Sequence, residues 1–334
     1  MRIERVSLPG IAFAALALSG CGGGALAPAG HLDAAAHVAM RGPGPDATAQ
    51  IYIAAPTLNA MATFPQTGNG NVPPSTVLSG SKTHMDQPVG VMVDPTTGDI
   101  YISQTKTNAV NVWAAGANGN EAPARRIYGH NTGLSFPAGM ALDSKGNLYV
   151  ANNHLNSIDV FPPGADGNVA PTSVLVGTAT GLNQPVGIAV NAKDELIVVN
   201  QGNNSITVYA AGASGNVPPL QGISGPATTL DAPGGVALDA KGDIYATSYA
   251  GNTMVEFAPT ANNNATPIRE INGTKTGLDG PTGIAVNSKG TIFVANALAD
   301  DITTFTSKAK GNTAPATTIA GSSYLTSPYG LALY

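Results

Sequence analysis

The chain has 334 residues with 15 Lys and Arg against 20 Asp and Glu, a formal net charge of −5 and only 10% charged residues. So sparse and mildly acidic a charge complement argues against nucleic acid as a partner, because phosphate binding needs clustered Lys and Arg. Cys21 is the single cysteine, which excludes internal disulfides and cysteine-rich metal sites.

At the N-terminus, Arg2 and Arg5 precede an apolar run from Ile11 to Leu18, and Leu18-Ser19-Gly20-Cys21 follows. This is the layout of a charged n-region, a short h-region and a small-residue cleavage site. The run is too short to span a bilayer as a helix. Leu-Ser-Gly-Cys resembles the lipobox of bacterial lipoproteins, which implies cleavage before Cys21 and acylation of its thiol and new amino terminus. An ordinary secretory signal that happens to hold a cysteine is the alternative. Residues 1–20 are therefore expected to be a lipoprotein signal peptide, with lipidation at Cys21 as the membrane attachment. The residue after it is Gly22, where an Asp would suggest inner-membrane retention, so the expected address is the outer membrane, facing periplasm or exterior. Residues 21–49 are rich in Ala, Gly and Pro and read as a flexible tether, with His31 and His37 solvated.

From residue 50 onward one phrase recurs. Pro-x-Gly stands at Pro88, Pro137, Pro185, Pro233, Pro281 and Pro328, at spacings of 49, 48, 48, 48 and 47, each followed by an apolar segment such as "IAV" or "VAL". Each complete unit continues with a turn of the type "DSKG", a strand like "LYVAN", a second loop, a strand like "SIDVF", and "GN" plus Pro leading into "TSVLVG". Four short β-branched or aromatic runs between Gly, Asn, Asp and Pro predict strands joined by tight turns. Helical periodicity is absent. Four strands per repeat of this length predict a β-propeller, whose blades bury their faces against their neighbours.

Second-strand segments begin near Ile51, Ile100, Leu148, Leu196, Ile244 and Ile292, while first strands follow the six prolines, so the two sets are out of step. The N-terminal segment has strands two to four without a first, and the C-terminal "PYGLALY" is a first strand without the rest. The predicted fold is all-β: a six-bladed β-propeller of four-stranded blades over residues 50–334, its ring closed by the C-terminal strand joining the N-terminal blade. Phe64, Trp113, Phe161, Tyr209, Phe257 and Phe305 occupy one phase of the repeat, and Tyr52, Tyr101, Tyr149, Tyr245 and Phe293 another, with Ile197 replacing the aromatic once. Rings at fixed phases are expected to form inter-blade core, each burying on the order of 150–250 Å². Lys145, Lys193, Lys241 and Lys289 fall at turn tips and are expected to be solvated.

The composite "P-x-G-I-A-V-x-x-x-G-x-I-Y-V-A-N-x-x-x-N-S-I-x-V-F" resembles NHL-repeat propellers over nearly everything from Ile51 to Tyr334. The resemblance implies an architecture more than an activity, since relatives include sensor domains, RNA-binding modules, amidating lyases and, more distantly, gluconolactonase-type hydrolases. The usual Asp after "Y-V-A" is Asn152, Asn200 and Asn296 here, and the basic residue often following the next "N" is Ser157, Ser205 or Thr253, which weakens the RNA-binding version. Lactonase-like sites hold a divalent cation with Glu, Asp and Asn in the central channel, whereas most acids here fall at turns, as Asp94, Asp143, Asp194 and Asp239 do. Lyase-like sites need several His, and residues 50–334 contain three.

Because strands alternate in direction, the loop between strands two and three shares a face with the loop between blades. His84 and His130 lie on inter-blade loops and His154 on a second loop. The same side carries Gln104, Asn152, Asn200, Tyr249 and Asn296, together with Asp300 and Asp301. These are the candidate ligand-binding residues, because they vary between blades while the opposite turns repeat "x-x-K-G". Without a ligand, strand-end Asn satisfies loop backbone by Asx-type hydrogen bonds. The expected function is that of a monomeric, non-enzymatic binding or scaffold lipoprotein of the cell envelope that holds a protein, peptide or glycan on this face. A metal-dependent lyase or hydrolase with its site at the channel mouth is the enzymatic alternative, and a purely structural envelope component the third. No catalytic residue or cofactor is assigned; a divalent cation belongs to the enzymatic alternative, and zinc on the three His would need three loops to converge.

Overall fold

A computed structural model describes residues 49–334. The expected signal peptide, Cys21 and the expected tether up to residue 48 lie outside the described residues. The described residues form six four-stranded antiparallel sheets. Blade 3 shows the pattern: an inner strand Pro137–Leu142, then Leu148–Asn152, Ser157–Phe161 and the outer strand Ser173–Val176. Blade 2 runs Pro88–Val93, Ile100–Gln104, Ala109–Trp113 and Arg125–Tyr128. The inner strands of blades 4, 5 and 6 begin at Pro185, Pro233 and Pro281.

Blade 1 is composite. Its outer three strands are Gln50–Ala55, Ala60–Pro65 and Thr76–Ser79, and its inner strand comes from the other end of the chain, Leu331–Leu333. Ile51 pairs with Leu333 and Ile53 with Leu331. Gln50 N–H donates to Tyr334 C=O at 2.7 Å, and Tyr334 N–H returns to Gln50 C=O at 3.1 Å. This is the closure that the out-of-step strand count predicts, and it pairs two edges that would otherwise be open.

The Pro-x-Gly phrase is explained at the centre of the ring. A Cβ on Gly90 would stand 2.2 Å from Ala138 O of the next blade, on Gly139 2.3 Å from Val186 O, on Gly283 2.4 Å from Tyr329 O and on Gly330 2.4 Å from Val89 O. Neighbouring inner strands thus approach backbone to backbone, and only glycine fits. Farther out, each interface holds one aromatic ladder position from each blade: Tyr52 with Trp113, Tyr101 with Phe161, Tyr149 with Tyr209, Tyr245 with Phe305, and Phe293 with Phe64. Ile197 meets Phe257 in the remaining one. A large apolar side chain contributes roughly 1.5–3 kcal/mol when fully buried, and these are buried only between blades. A lone blade would expose them.

The "GN" phrase closes the periphery. Gly119, Gly167, Gly215 and Gly311 form parallel bridges to the outer strand of the preceding blade, as do Gly70 and Asn263. The following Asn120, Asn168, Asn216, Asn264 and Asn312 accept backbone N–H bonds of 2.7–2.8 Å from Lys82, Asn131, Ala179, Ala227 and Lys275 in that blade's exit turn. Among the described residues no helix is long and apolar enough to cross a membrane.

Candidate functional site

Each hairpin between the second and third strands ends in a left-handed residue: Asn59, Asn108, Asn156, Asn204, Asn252 or, in blade 6, Asp300. Asn and Asp tolerate that conformation better than other side chains with a Cβ. In every case the side-chain oxygen accepts from the backbone N–H of the residue before the next blade's proline, over 2.6–2.9 Å: Gln87, Phe136, Gln184, Ala232, Gly280 and Ser327. Six identical latches therefore hold the loop face rigid. Its tips are free to differ.

Four of the candidate residues lie beneath this face. Gln104, Asn152, Asn200 and Asn296 are fully buried, and their side-chain oxygens accept from the backbone N–H of Asp86, Ser135, Asn183 and Asp279 at 2.8, 3.1, 3.1 and 3.3 Å. They position loops, through bonds to the incoming inter-blade loop 17 or 18 residues earlier rather than through local Asx-type bonds. Ser248 does the same for Asp231 in blade 5.

The other candidates reach the surface. His84, His130 and His154 are exposed, and His154 stacks on Phe136 with ring centres 4.4 Å apart. Among the described residues no three His, Cys, Asp or Glu side chains stand close enough to share a metal ion. Tyr249 packs beside Gly280 and Leu298: a Cβ on Gly280 would meet Leu298 Cγ at 2.6 Å and Tyr249 Cε2 at 3.1 Å. Tyr329 stands at the Pro-x-Gly position held elsewhere by Val89, Ala138, Val186, Gly234 and Thr282, and its hydroxyl pKa is raised by burial and by nearby Tyr249. Leu58, Leu155 and Leu298 on the hairpins of blades 1, 3 and 6 are 41%, 52% and 49% exposed. Asp301 accepts from Asn296 Nδ2 at 2.8 Å, and burial pushes its carboxyl upward.

On the opposite face the turns of blades 3 to 6 are alike, while in blade 2 Asp94 accepts from the N–H groups of Thr96 and Thr97. Asp143, Asn191, Asp239 and Asn287 each close the same turn by accepting from the N–H groups two and four residues on, at 2.8–3.0 Å. The intervening Lys145, Lys193, Lys241 and Lys289 are exposed. Between blades 3 and 4 these turns border a cavity of about 220 Å³ lined by Asp143, Lys145, Tyr149 and Asp194.

One residue that sequence reasoning passed over is Asp159. It is 2% exposed, its Oδ1 accepts from the Ser157 hydroxyl at 3.2 Å, and burial raises its pKa to about 6 against the restraint of Asn152 and Ser157. The signal was present in the repeat: at this phase the other blades carry Ala62, Asn111, Thr207, Val255 and Thr303. Asp159 is the sole acid there.

No protein-family model matches the chain, and no curated protein matches it in sequence. Solved structures do match, and the class they share with this chain is one of fold, the six-bladed β-propeller. A protein of unknown function from Bacteroides caccae is 12% identical with a TM-score of 0.63, over 85% of this chain and 98% of that one. A chain of a nidogen/laminin complex is 15% identical with a TM-score of 0.58, again over 85% and 98%. A streptogramin B lyase is 17% identical with a TM-score of 0.55, over 84% of this chain and 82% of that one. At such identities the likeness is one of fold, and a fold of this kind hosts unrelated functions.

Proposed function

We propose that the protein is a non-enzymatic binding module that holds a protein, peptide or glycan partner on its loop face, and that it is exported and anchored to the outer membrane through lipid on Cys21. The observation that carries the binding reading is the contrast of faces. Leu58, Leu155, Leu298 and Tyr249 stand on latched hairpins on one side, where His154 also stacks on Phe136 of the adjoining inter-blade loop, while on the other side blades 3 to 6 repeat one turn. Rigid hairpins lose little freedom on binding, and exposed apolar side chains supply contact area. A nidogen/laminin propeller among the structural neighbours is consistent with this use of the fold. The lyase or hydrolase reading draws on the streptogramin B lyase neighbour, and the metal content of the purified protein distinguishes it, since that chemistry uses a bound cation.

The test is capture of partners from intact envelopes by wild type, by a variant with Leu58, Leu155 and Leu298 changed to Asp, and by one with Lys145, Lys193 and Lys241 changed to Glu. Loss with the first variant alone is expected. Loss with the second alone overturns the choice of face. Separately, Cys21→Ser is expected to leave a folded protein that no longer sediments with membranes, because stable anchoring needs the acyl chains.

A further inference from the structure

Blades 2 and 3 place different side chains at the same register positions. In blade 2, Asn111 lies opposite Arg126 and Ala109 opposite Tyr128. Arg126 Nε donates to Asn111 Oδ1 at 3.1 Å, and its guanidinium carbon lies 4.7 Å from the centre of the Tyr128 ring. In blade 3, Asp159 lies opposite Val174 and Ser157 opposite Val176. The amide has become a carboxylate, and the guanidinium and the ring have become valines.

What remains is a recess of about 400 Å³, open to solvent, with Asp159 inside it and His130, Leu155, Pro171, Val174 and Val176 around it. That volume lies within the roughly 300–1,000 Å³ typical of small-ligand sites. Gly133, at φ +69°, keeps the carboxylate approachable, since a Cβ there would stand 3.0 Å from Asp159 Oδ2. No side-chain cation pairs with Asp159; the ion pairs among the described residues join Lys106 to Asp86, Arg125 to Asp99 and Arg269 to Glu256. A buried carboxylate whose donors are neutral is costly to ionise, and an incoming cation would relieve that cost.

We propose that the blade 3 recess binds an exogenous alkyl guanidinium, which occupies the place that blade 2 fills with its own Arg126. Asp159 accepts from the guanidinium N–H groups, and the aliphatic chain lies along Val174, Val176 and Leu155. The recess shares Leu155 and His130 with the loop face, but Asp159 and Val174 belong to strands and neither is altered in the test of that face, so the Asp159→Asn and Val174→Arg results distinguish the two readings.

The experiment is an NMR titration of the folded protein at pH 7.5 with n-propylguanidinium chloride, following the amide signals of Gly133, Asp159 and Val174. Propylurea, the uncharged molecule of the same shape, serves as the comparison ligand. Saturable shifts at these residues are expected, with affinity at least about tenfold weaker for propylurea and about tenfold weaker in Asp159→Asn, a tenfold loss being close to 1.4 kcal/mol. Asp159→Asn copies the amide already present in blade 2 and so tests charge without changing shape. Val174→Arg supplies the cation internally and is expected to abolish binding. A doubly blocked arginine that binds as tightly as propylguanidinium assigns the site to peptide arginine, and weaker binding assigns it to a small guanidino compound. Absence of saturable shifts in wild type, or equal affinity for propylurea or for the Asp159→Asn protein, overturns the proposal.

Discussion

Blades 2 and 3 are built from the same repeat and share the contacts that close the ring, while the side chains paired across their outer strands differ. Gly90 and Gly139 meet the backbone of the next blade at nearly the same hypothetical Cβ distances, 2.2 and 2.3 Å. Asn108 and Asn156 make the same latch at 2.9 and 2.6 Å, and Trp113 and Phe161 are both fully buried in their interfaces. Yet Arg126 and Tyr128 in one blade answer to Val174 and Val176 in the other. Positions that touch the next blade's backbone must repeat, because six copies have to close one ring; on the outer strands the backbone is bridged to the next blade in the same way, through Gly167 and Gly215, while the Arg126 side chain bonds within its own sheet. Individuality lies in such side chains and in the loop tips.

The strongest test of the shared part removes the closure. Deleting residues 328–334 strips the inner strand from blade 1 and takes Leu331 from one interface and the packing of Tyr334 from the next. Both blades 2 and 3 are expected to lose cooperative unfolding together, with a melting temperature lower by more than about 10 °C. Deletion of residues 25–47, read from the sequence as tether, is expected to leave it unchanged. Equal melting temperatures for the two deletions would show that the ring does not depend on its closing strand.

Next in size come Gly90→Ala and Gly139→Ala. Each forces a Cβ against a backbone carbonyl, and each is expected to cost about 3 kcal/mol or more in urea unfolding. Similar losses are expected from the two blades. A large disparity would mean that the centre of the ring is not uniform.

Asp159 marks the difference. Burial holds its folded pKa at about 6, above the ordinary carboxyl value of 3.8, so between these values the folded state holds a proton that the unfolded state has released. Stability contributed by this group is therefore present below about pH 4 and lost as pH rises through about 6, by roughly 3 kcal/mol. His130 borders the same recess, so the comparison is between wild type and Asp159→Asn over pH 4 to 7.5. The extra loss of stability in wild type should vanish in the variant. An unchanged difference between pH 4 and 7.5 would contradict the burial argument.

The smallest effect belongs to the latches. Asn108→Ala and Asn156→Ala each remove one hydrogen bond and leave a left-handed Ala, together about 1–2 kcal/mol. The two losses should agree within error in thermal or urea melts. Asn→Gly, which keeps the backbone conformation open, should cost less than Asn→Ala.

Most of the architecture was legible in the residues because a ring of near-identical units writes its constraints six times. Pro-x-Gly spacing, the paired aromatic phases and the out-of-step ends determined six blades and their closure, since each reports a contact that every blade must make. Turn chemistry was equally plain: an Asx residue two before Lys closes its turn by local hydrogen bonds that need no distant partner. Local pattern did not decide which loop-face residues reach solvent. Asn152, Asn200 and Asn296 sit at strand ends like surface residues, and only the path of the incoming inter-blade loop covers them and uses their side-chain oxygens. Nor did it mark Asp159, which reads as one more residue of a strand until the outer strand, fifteen residues farther on, is seen to place Val174 where blade 2 places Arg126. A recess is the absence of a side chain across a sheet, and that depends on register, which only the tertiary structure sets.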